Sequence, residues 1–348
     1  MSQYRDQRIA FPVFFHRRGC TGFYRNICRP KRRKSGAEYR ETIFFLIRRI
    51  YMKQKKAKMS LEKKHNLTGW AFLTPAALLI LVMSFVPMVK AFILSFQTGV
   101  GAAMKPCGIS NYTRMFKDTV FMQSVKNTFF YLIIQVPIML ILALILASIL
   151  NNRNLRFKGL FRTMIFLPCA TSLVAYATIF RTLFANNGII NLFLVKIGIL
   201  DAPYSFLTHP ISAKIVIILG LLWRWTGYNM VFYLSGLQNI EYSVYEAAKI
   251  DGASPVQTFF KITAPLLKPT ILLTAIMSTN GTLQLFDESV NLTDGGPANA
   301  SITMSHYIYN MSFKYVPNFG YAAAMSFFIL ILVAILAFIQ MKVGDKRD

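Results

Sequence analysis

Residues 128–150 read TFFYLIIQVPIMLILALILASIL, a run with no charged side chain anywhere in it. Crossing the hydrocarbon core of a bilayer takes about 20 apolar residues of helix. A helix that is apolar on every face has no side to offer water, so this run predicts a membrane span. Working outward, residues 321–341, YAAAMSFFILILVAILAFIQM, repeat the pattern. Further candidates bring the expected spans to 70–96, 126–150, 163–184, 214–236, 270–289 and 321–341. The fold class expected is therefore an all-α polytopic membrane protein with six transmembrane helices. The fifth span is the most polar, because TAIMSTNGTLQLFDES (274–289) carries hydroxyl, amide and acidic side chains. Hydrocarbon tolerates such groups only where they face a bundle interior or a water-filled path.

Composition agrees. Only 15% of the 348 residues are charged and 54% are hydrophobic, whereas a soluble domain carries about a quarter charged residues. The net charge of +25 is unevenly spread: residues 1–69 hold 19 of the 39 Lys and Arg against four acids. Basic flanks kept on the cytoplasmic side of a membrane explain this better than a nucleic-acid surface, for which the rest of the chain is too apolar. The loop 151–162 carries Arg153, Arg156, Lys158 and Arg162, the loop 237–269 carries Lys249, Lys261 and Lys268, and the tail carries Lys342, Lys346 and Arg347. Those regions fall on one side of a six-span chain, which puts both termini in the cytoplasm. Residues 1–65 are expected to be a basic segment with no folded domain, part of it an over-extended start ahead of Met52 or Met59, and residues 66–345 to be the membrane domain. No cleavable signal peptide is read at residue 1.

Catalytic readings find little support. Cys20, Cys28, Cys107 and Cys169 show no metal-ligand spacing, even with His16 near the first two. The histidines His16, His65, His209 and His306 are scattered. No glycine-rich phosphate loop of the Walker type occurs, so nucleotide chemistry has to be supplied by another chain.

The 241–269 loop, EYSVYEAAKIDGASPVQTFFKITAPLLKP, is more ordered than a linker. Residues 242–249 suit a short helix with Glu246 on its surface, and Ala247 and Ala248 allow close approach. Asp251 and Gly252 form a turn, since glycine accepts positive φ at a helix end. Ser254, Pro255 and Gln257 open a second helix with a capping box, given an apolar face by Phe259, Phe260 and Ile262 and ended by Pro265 and Pro269.

The pattern Glu246-Ala247-Ala248, then Asp251-Gly252, then Ile262 and Pro265 resembles the EAA loop of binding-protein-dependent ABC importer permeases, with Ala264 where a leucine is usual. The likeness covers about residues 66–345. It is nearest the carbohydrate-uptake class, which includes maltose-, glycerol-phosphate-, lactose- and arabinose-type permeases. GISNYTRMFKD (108–118), WRWTGYNMVFYLSGLQNI (223–240) and NLTDGGPANASITMSHYIYNMSFKYVPNFGYAAAMS (291–326) carry that part of it. The resemblance implies a non-catalytic subunit that binds no cofactor itself and works with ABC ATPase subunits that hold ATP-Mg. It also implies a second, homologous permease subunit, an extracellular sugar-binding protein and a sugar substrate. It assigns Glu246, Ala247, Ala248, Asp251, Gly252, Ile262 and Pro265 to ATPase docking.

Alignment to the maltose-type members puts sugar contacts at Trp223, Thr226, Gly227 and Met230 in span four and at Ser278, Thr282 and Leu285 in span five. Each set falls on one helix face by spacing. Small and hydroxyl residues in membrane helices also serve helix packing, and that reading stays open. So does a permease for a non-sugar solute. An ion-coupled secondary transporter would need inverted repeats and coupling residues at mid-membrane, which are not seen.

Overall fold

A computed structural model describes residues 41, 44–49, 65–66, 68–100, 104–152 and 155–344. The expected start sites at Met52 and Met59, and His16 with Cys20 and Cys28, lie outside the described residues. The chain divides into two compact units, residues 1–80 and 81–348, and the packing described below belongs to the second.

The helices are α1 (Thr68–Ser95), α2 (Ser110–Lys117), α3 (Thr119–Leu150), α4 (Lys158–Ala170), α5 (Leu173–Leu183), α6 (Ile189–Lys196) and α7 (Pro210–Gln238), followed by α8 (Tyr242–Ile250), α9 (Pro255–Leu266), α10 (Lys268–Leu283), α11 (Met304–Tyr309) and α12 (Phe319–Gly344). Four of them, α1, α3, α7 and α12, are long and apolar enough to cross a membrane unaided. At about 1.5 Å per residue, even α12 exceeds the ~30 Å hydrocarbon thickness. Span three, expected as a single helix, is instead a bent pair in which α4 and α5 meet at 98°, whereas the break expected at Pro265 and Pro269 separates α9 of the 241–269 loop from α10 of span five at 71°.

Proline chemistry accounts for the bends. Pro168 stands in the last turn of α4, and Pro265 and Pro269 each occupy the opening positions of a helical piece. A proline has no N–H to continue the preceding helix, while its fixed φ suits the first turn of a new one. Pro87 is absorbed differently, by a π-helical turn at Leu81–Phe85 within α1.

The core is built around α3 and α7. Ala143 and Ala147 on α3 are fully buried against Met230, Tyr233 and Leu237 of α7 and Leu267 at the α9–α10 bend. A second cluster joins Tyr131 of α3, Tyr176 and Phe180 of α5, and Ile217 and Leu221 of α7. A third joins Phe121, Leu283, Met304 and Tyr307 to Tyr321 and Met325 of α12. Outward faces stay apolar, as at Ile133 and Ile141 on α3 and Ile335 and Phe338 on α12. A membrane protein presents such side chains to lipid.

Residues 284–318 form an ordered cap over the ends of α3 and α10. Asn127 of α3 donates to the carbonyls of Asn299 and Ile302 at 3.1 and 2.9 Å. Asp118 caps α3 by accepting from the Val120 and Phe121 amides, and it also accepts from the Tyr307 and Tyr321 hydroxyls at 2.7 and 2.8 Å. Burial by itself would raise the Asp118 pKa. These four hydrogen bonds outweigh it and hold the carboxyl below its usual value. His306 is buried, with Nδ1 2.9 Å from the Ser289 hydroxyl, and burial lowers its pKa despite Asp294 nearby.

Candidate functional site

A cavity of about 420 Å³ opens between α3, α7 and α10. Leu221, Arg224, Trp225, Tyr228 and Asn229 give it one wall, an i, i+3, i+4, i+7, i+8 stripe on α7. Gln135 and Met139 of α3 supply a second wall, and Ser278, Gly281 and Thr282 of α10 a third. Leu285, Asp287 and Glu288 close the end beyond α10.

Polar side chains tie the three walls together. Thr282 donates to Gln135 Oε1 at 3.1 Å, and Gln135 Nε2 donates to Met139 Sδ at 3.1 Å. Asn229 Nδ2 donates to the Trp225 carbonyl at 3.0 Å, while Ser278 reaches Asn229 Oδ1 at 3.5 Å. Buried amides and hydroxyls are costly unless paired, and these pairs sit in the cavity wall beside Arg224, Trp225, Tyr228, Asp287 and Glu288.

The sequence-predicted contacts divide into two groups. Ser278, Thr282 and Leu285 line the cavity; Trp223, Thr226, Gly227 and Met230 do not. Trp223 stacks on Tyr176 of α5 with ring centroids 6.0 Å apart. Thr226 and Met230 are buried in packing contacts, and Gly227 lies against the backbone of α4 at Ile165 and Phe166. The residues of span four that line the cavity are thus others than those expected to touch sugar. Both stripes have helical spacing, so periodicity cannot choose between them. Gly227 is small because a neighbouring helix runs against it, whereas a Cβ at Gly281 would meet open space. The signal that marks the cavity-lining stripe is Arg224: a charge in a membrane helix turns away from lipid, and Trp225, Tyr228 and Asn229 line the cavity with it. Asp287 and Glu288 also line the cavity, and Glu288 is only 4% exposed.

The second candidate element is the 241–269 loop. Helix α8 ends in paired bonds, Gly252 N–H to Lys249 O at 3.2 Å and Ala253 N–H to Ala248 O at 2.9 Å, with Gly252 at φ +74°. This is the Schellman arrangement, which needs a left-handed residue after the cap. Ser254 then caps α9 through a full capping box with Gln257. Glu246, Ala247, Asp251, Gly252 and Pro265 are exposed, Ile262 is half-buried and Ala248 is buried. Of the apolar face read from the sequence Phe260 is exposed at 66%, and sequence reasoning missed two exposed apolar residues beside it, Ile250 at 86% and Val256 at 65%. Among the described residues no group of three or more His, Cys, Asp or Glu is arranged to hold a metal.

Residues 139–347 match the family described as the binding-protein-dependent transport system inner membrane component. Over 293 residues the chain is 49% identical to the lactose transport system permease protein LacF of Rhizobium radiobacter, covering 84% of this chain and 98% of that one. It is 31% identical over 283 residues to the arabinooligosaccharides transport system permease protein AraP of Bacillus subtilis, covering 80% and 88%. Among solved structures, a chain of a bacterial ABC transporter involved in importing the acidic polysaccharide alginate superposes with a TM-score of 0.73 over 83% of this chain and 99% of that one. At 21% identity that likeness speaks to the fold alone.

Proposed function

The chain belongs to the binding-protein-dependent transport system inner membrane components, and on that basis we propose that it is the permease subunit of an ATP-driven sugar importer, forming half of the translocation pathway. Its sugar relatives and the aromatic and hydroxyl lining of the cavity support the substrate class. Sugars stack C–H surface on rings and exchange hydrogen bonds through their hydroxyls. Arg224, Trp225, Tyr228 and Asn229, with Gln135, Ser278 and Thr282, are the residues we assign to the pathway.

The loop docks on the ATPase. The observation that carries this assignment is the exposure of Ile250, Val256 and Phe260 beside Glu246 and Gly252 on a loop stiffened by two caps. Apolar side chains held rigidly in water mark a protein partner. Glu246, Ala247, Ala248, Asp251, Gly252, Ile262 and Pro265 form the docking element. ATP with Mg is bound and hydrolysed by the partner subunits. A second permease completes the pathway, and an extracellular binding protein delivers the sugar. Both termini lie in the cytoplasm, on the side of the basic loops.

The test is to purify the membrane complex carrying Phe260→Glu or Ile250→Asp. The permease should remain inserted with its partner permease, the ATPase should be lost, and sugar uptake by cells should fall to background. ATPase retained with normal uptake in both variants would remove the docking assignment. Uptake of amino acids but of no saccharide by the unmodified system would remove the sugar assignment.

A further inference from the structure

Arg224 is 7% exposed, and its Nε and Nη1 have no hydrogen-bond partner although both are buried. Its guanidinium carbon lies 5.5 Å from the ring centroids of both Tyr176 and Trp225. Asp287 and Glu288 line the same cavity, and Glu288 is near enough to interact electrostatically with Arg224, yet among the described residues Arg224 comes within ion-pair distance of neither. A buried guanidinium with unmet donors is costly, the more so at membrane depth, so the missing acceptors come from outside this chain.

The chemistry of the pair narrows what those acceptors are. Arginine only donates, while the carboxyl groups of Asp287 and Glu288 offer oxygens that accept. A sugar acid would satisfy Arg224 but meet two carboxyl groups, and an amino sugar would satisfy the carboxylates but meet the guanidinium. A hydroxyl both donates and accepts, so a neutral polyol satisfies both, with its C–H faces against Trp225 and Tyr228. We propose that Arg224 and Glu288 impose a charge rule on this pathway: neutral saccharides are held in the cavity, and charged sugars are rejected. The rule rests on the sugar-permease reading and adds to it a specificity set within the membrane, separate from that of the binding protein.

The test uses the assembled transporter, with its partner permease and ATPase, in a background whose native cysteines are replaced by serine. Met277, which lines the cavity and is 44% exposed, becomes the reporter as Met277→Cys, and its rate of maleimide labelling is measured with lactose or its anionic counterpart lactobionate. Lactose should protect and lactobionate should not. Arg224→Gln should raise the half-protecting lactose concentration about tenfold or more, as expected for a lost charge-assisted hydrogen bond. Arg224→Lys should recover part of it, and Glu288→Gln should let lactobionate protect. Equal protection by both sugars, or an unchanged Arg224→Gln, overturns the charge rule while leaving the sugar reading intact. If neither lactose nor raffinose nor arabinotriose protects, the sugar reading fails and the rule with it. If Arg224→Gln releases the partner permease, the missing acceptor belongs to that subunit and the rule is overturned.

Discussion

Substitutions at Gly252 separate two roles that glycine can play in the loop. Its φ of +74° is left-handed, and a Cβ built on it meets nothing within 4 Å. Within this chain, then, the penalty for a side chain is conformational only. An L-residue in that region pays about 1–2 kcal/mol, whereas asparagine enters it far more readily. If the glycine merely shapes the turn, Gly252→Ala lowers the population of docking-ready loop and weakens ATPase affinity by up to about tenfold. Gly252→Val should lose more, up to about thirtyfold for 2 kcal/mol, and Gly252→Asn should change affinity by less than about twofold. If instead the ATPase presses directly on Gly252, asparagine is as damaging as valine, because bulk rather than φ decides. We expect the second pattern, since a stiff turn flanked by exposed Ile250 and Val256 is placed to enter a groove. The assay is ATPase retention on the detergent-solubilised complex across a dilution series, with sugar uptake as the parallel readout. An order of Gly, Asn, Ala, Val from best to worst would refute close contact at Gly252 and reduce the residue to a hinge.

Three further outcomes follow from the packing. Asp118→Ala removes a helix cap and two tyrosine hydrogen bonds, which should cost about 2–4 kcal/mol. Asp118→Asn should recover most of the cap, and thermal unfolding of the purified complex reads the difference. Because the Asp118 pKa is lowered by folding, its contribution is present above the ordinary aspartate range and is lost as pH falls through the folded value. His306 has a lowered pKa, so the unfolded cap binds more protons than the folded one, and cap stability should decline as pH drops below about 6.5. Hydrogen exchange across 284–318 at pH 5.5 and 7.5 should show this, and His306→Gln should flatten it. Gly227→Val drives a side chain into the α4 backbone and should cost roughly 3 kcal/mol or more, whereas Gly281→Ala should leave stability within about 1 kcal/mol while narrowing the cavity. Expression and unfolding temperature check the first, and the uptake rate checks the second.

How much of this was legible in the sequence depended on the kind of signal. Spans such as α3 and α12 were plain, because apolar length is a property of the residues themselves. The 98° bend in span three was not predicted, although Pro168 stood in view, whereas the break before span five was read from Pro265 and Pro269. A proline near a helix end can stop, start or kink a helix, and neighbours decide which. The glycine turn after α8 and the box at Ser254 and Gln257 are local chemistry, so reading residues in order was enough. The cavity was harder. Trp223, Thr226, Gly227 and Met230 have the same spacing as Leu221, Arg224, Trp225 and Tyr228, so spacing does not choose between them; the packing of α4 against Gly227 and the charge at Arg224 tell the stripes apart. The unpaired guanidinium of Arg224 was invisible for a similar reason: whether a buried charge finds a partner is settled by distances between helices, which one sequence does not contain.

The hub at Asp118 also bears on how the protein is made. Its two tyrosine partners lie 189 and 203 residues further along the chain. A ribosome delivers α3 long before α11 and α12 exist, so the carboxylate waits with only its own helix cap until the last helix has entered the membrane. Contacts of such sequence separation form late, after the loop entropy has been overcome. The 284–318 cap can therefore close around Asp118 only once α12 has been made, and a nascent chain halted before α12 would lack the Tyr321 contact to this carboxylate.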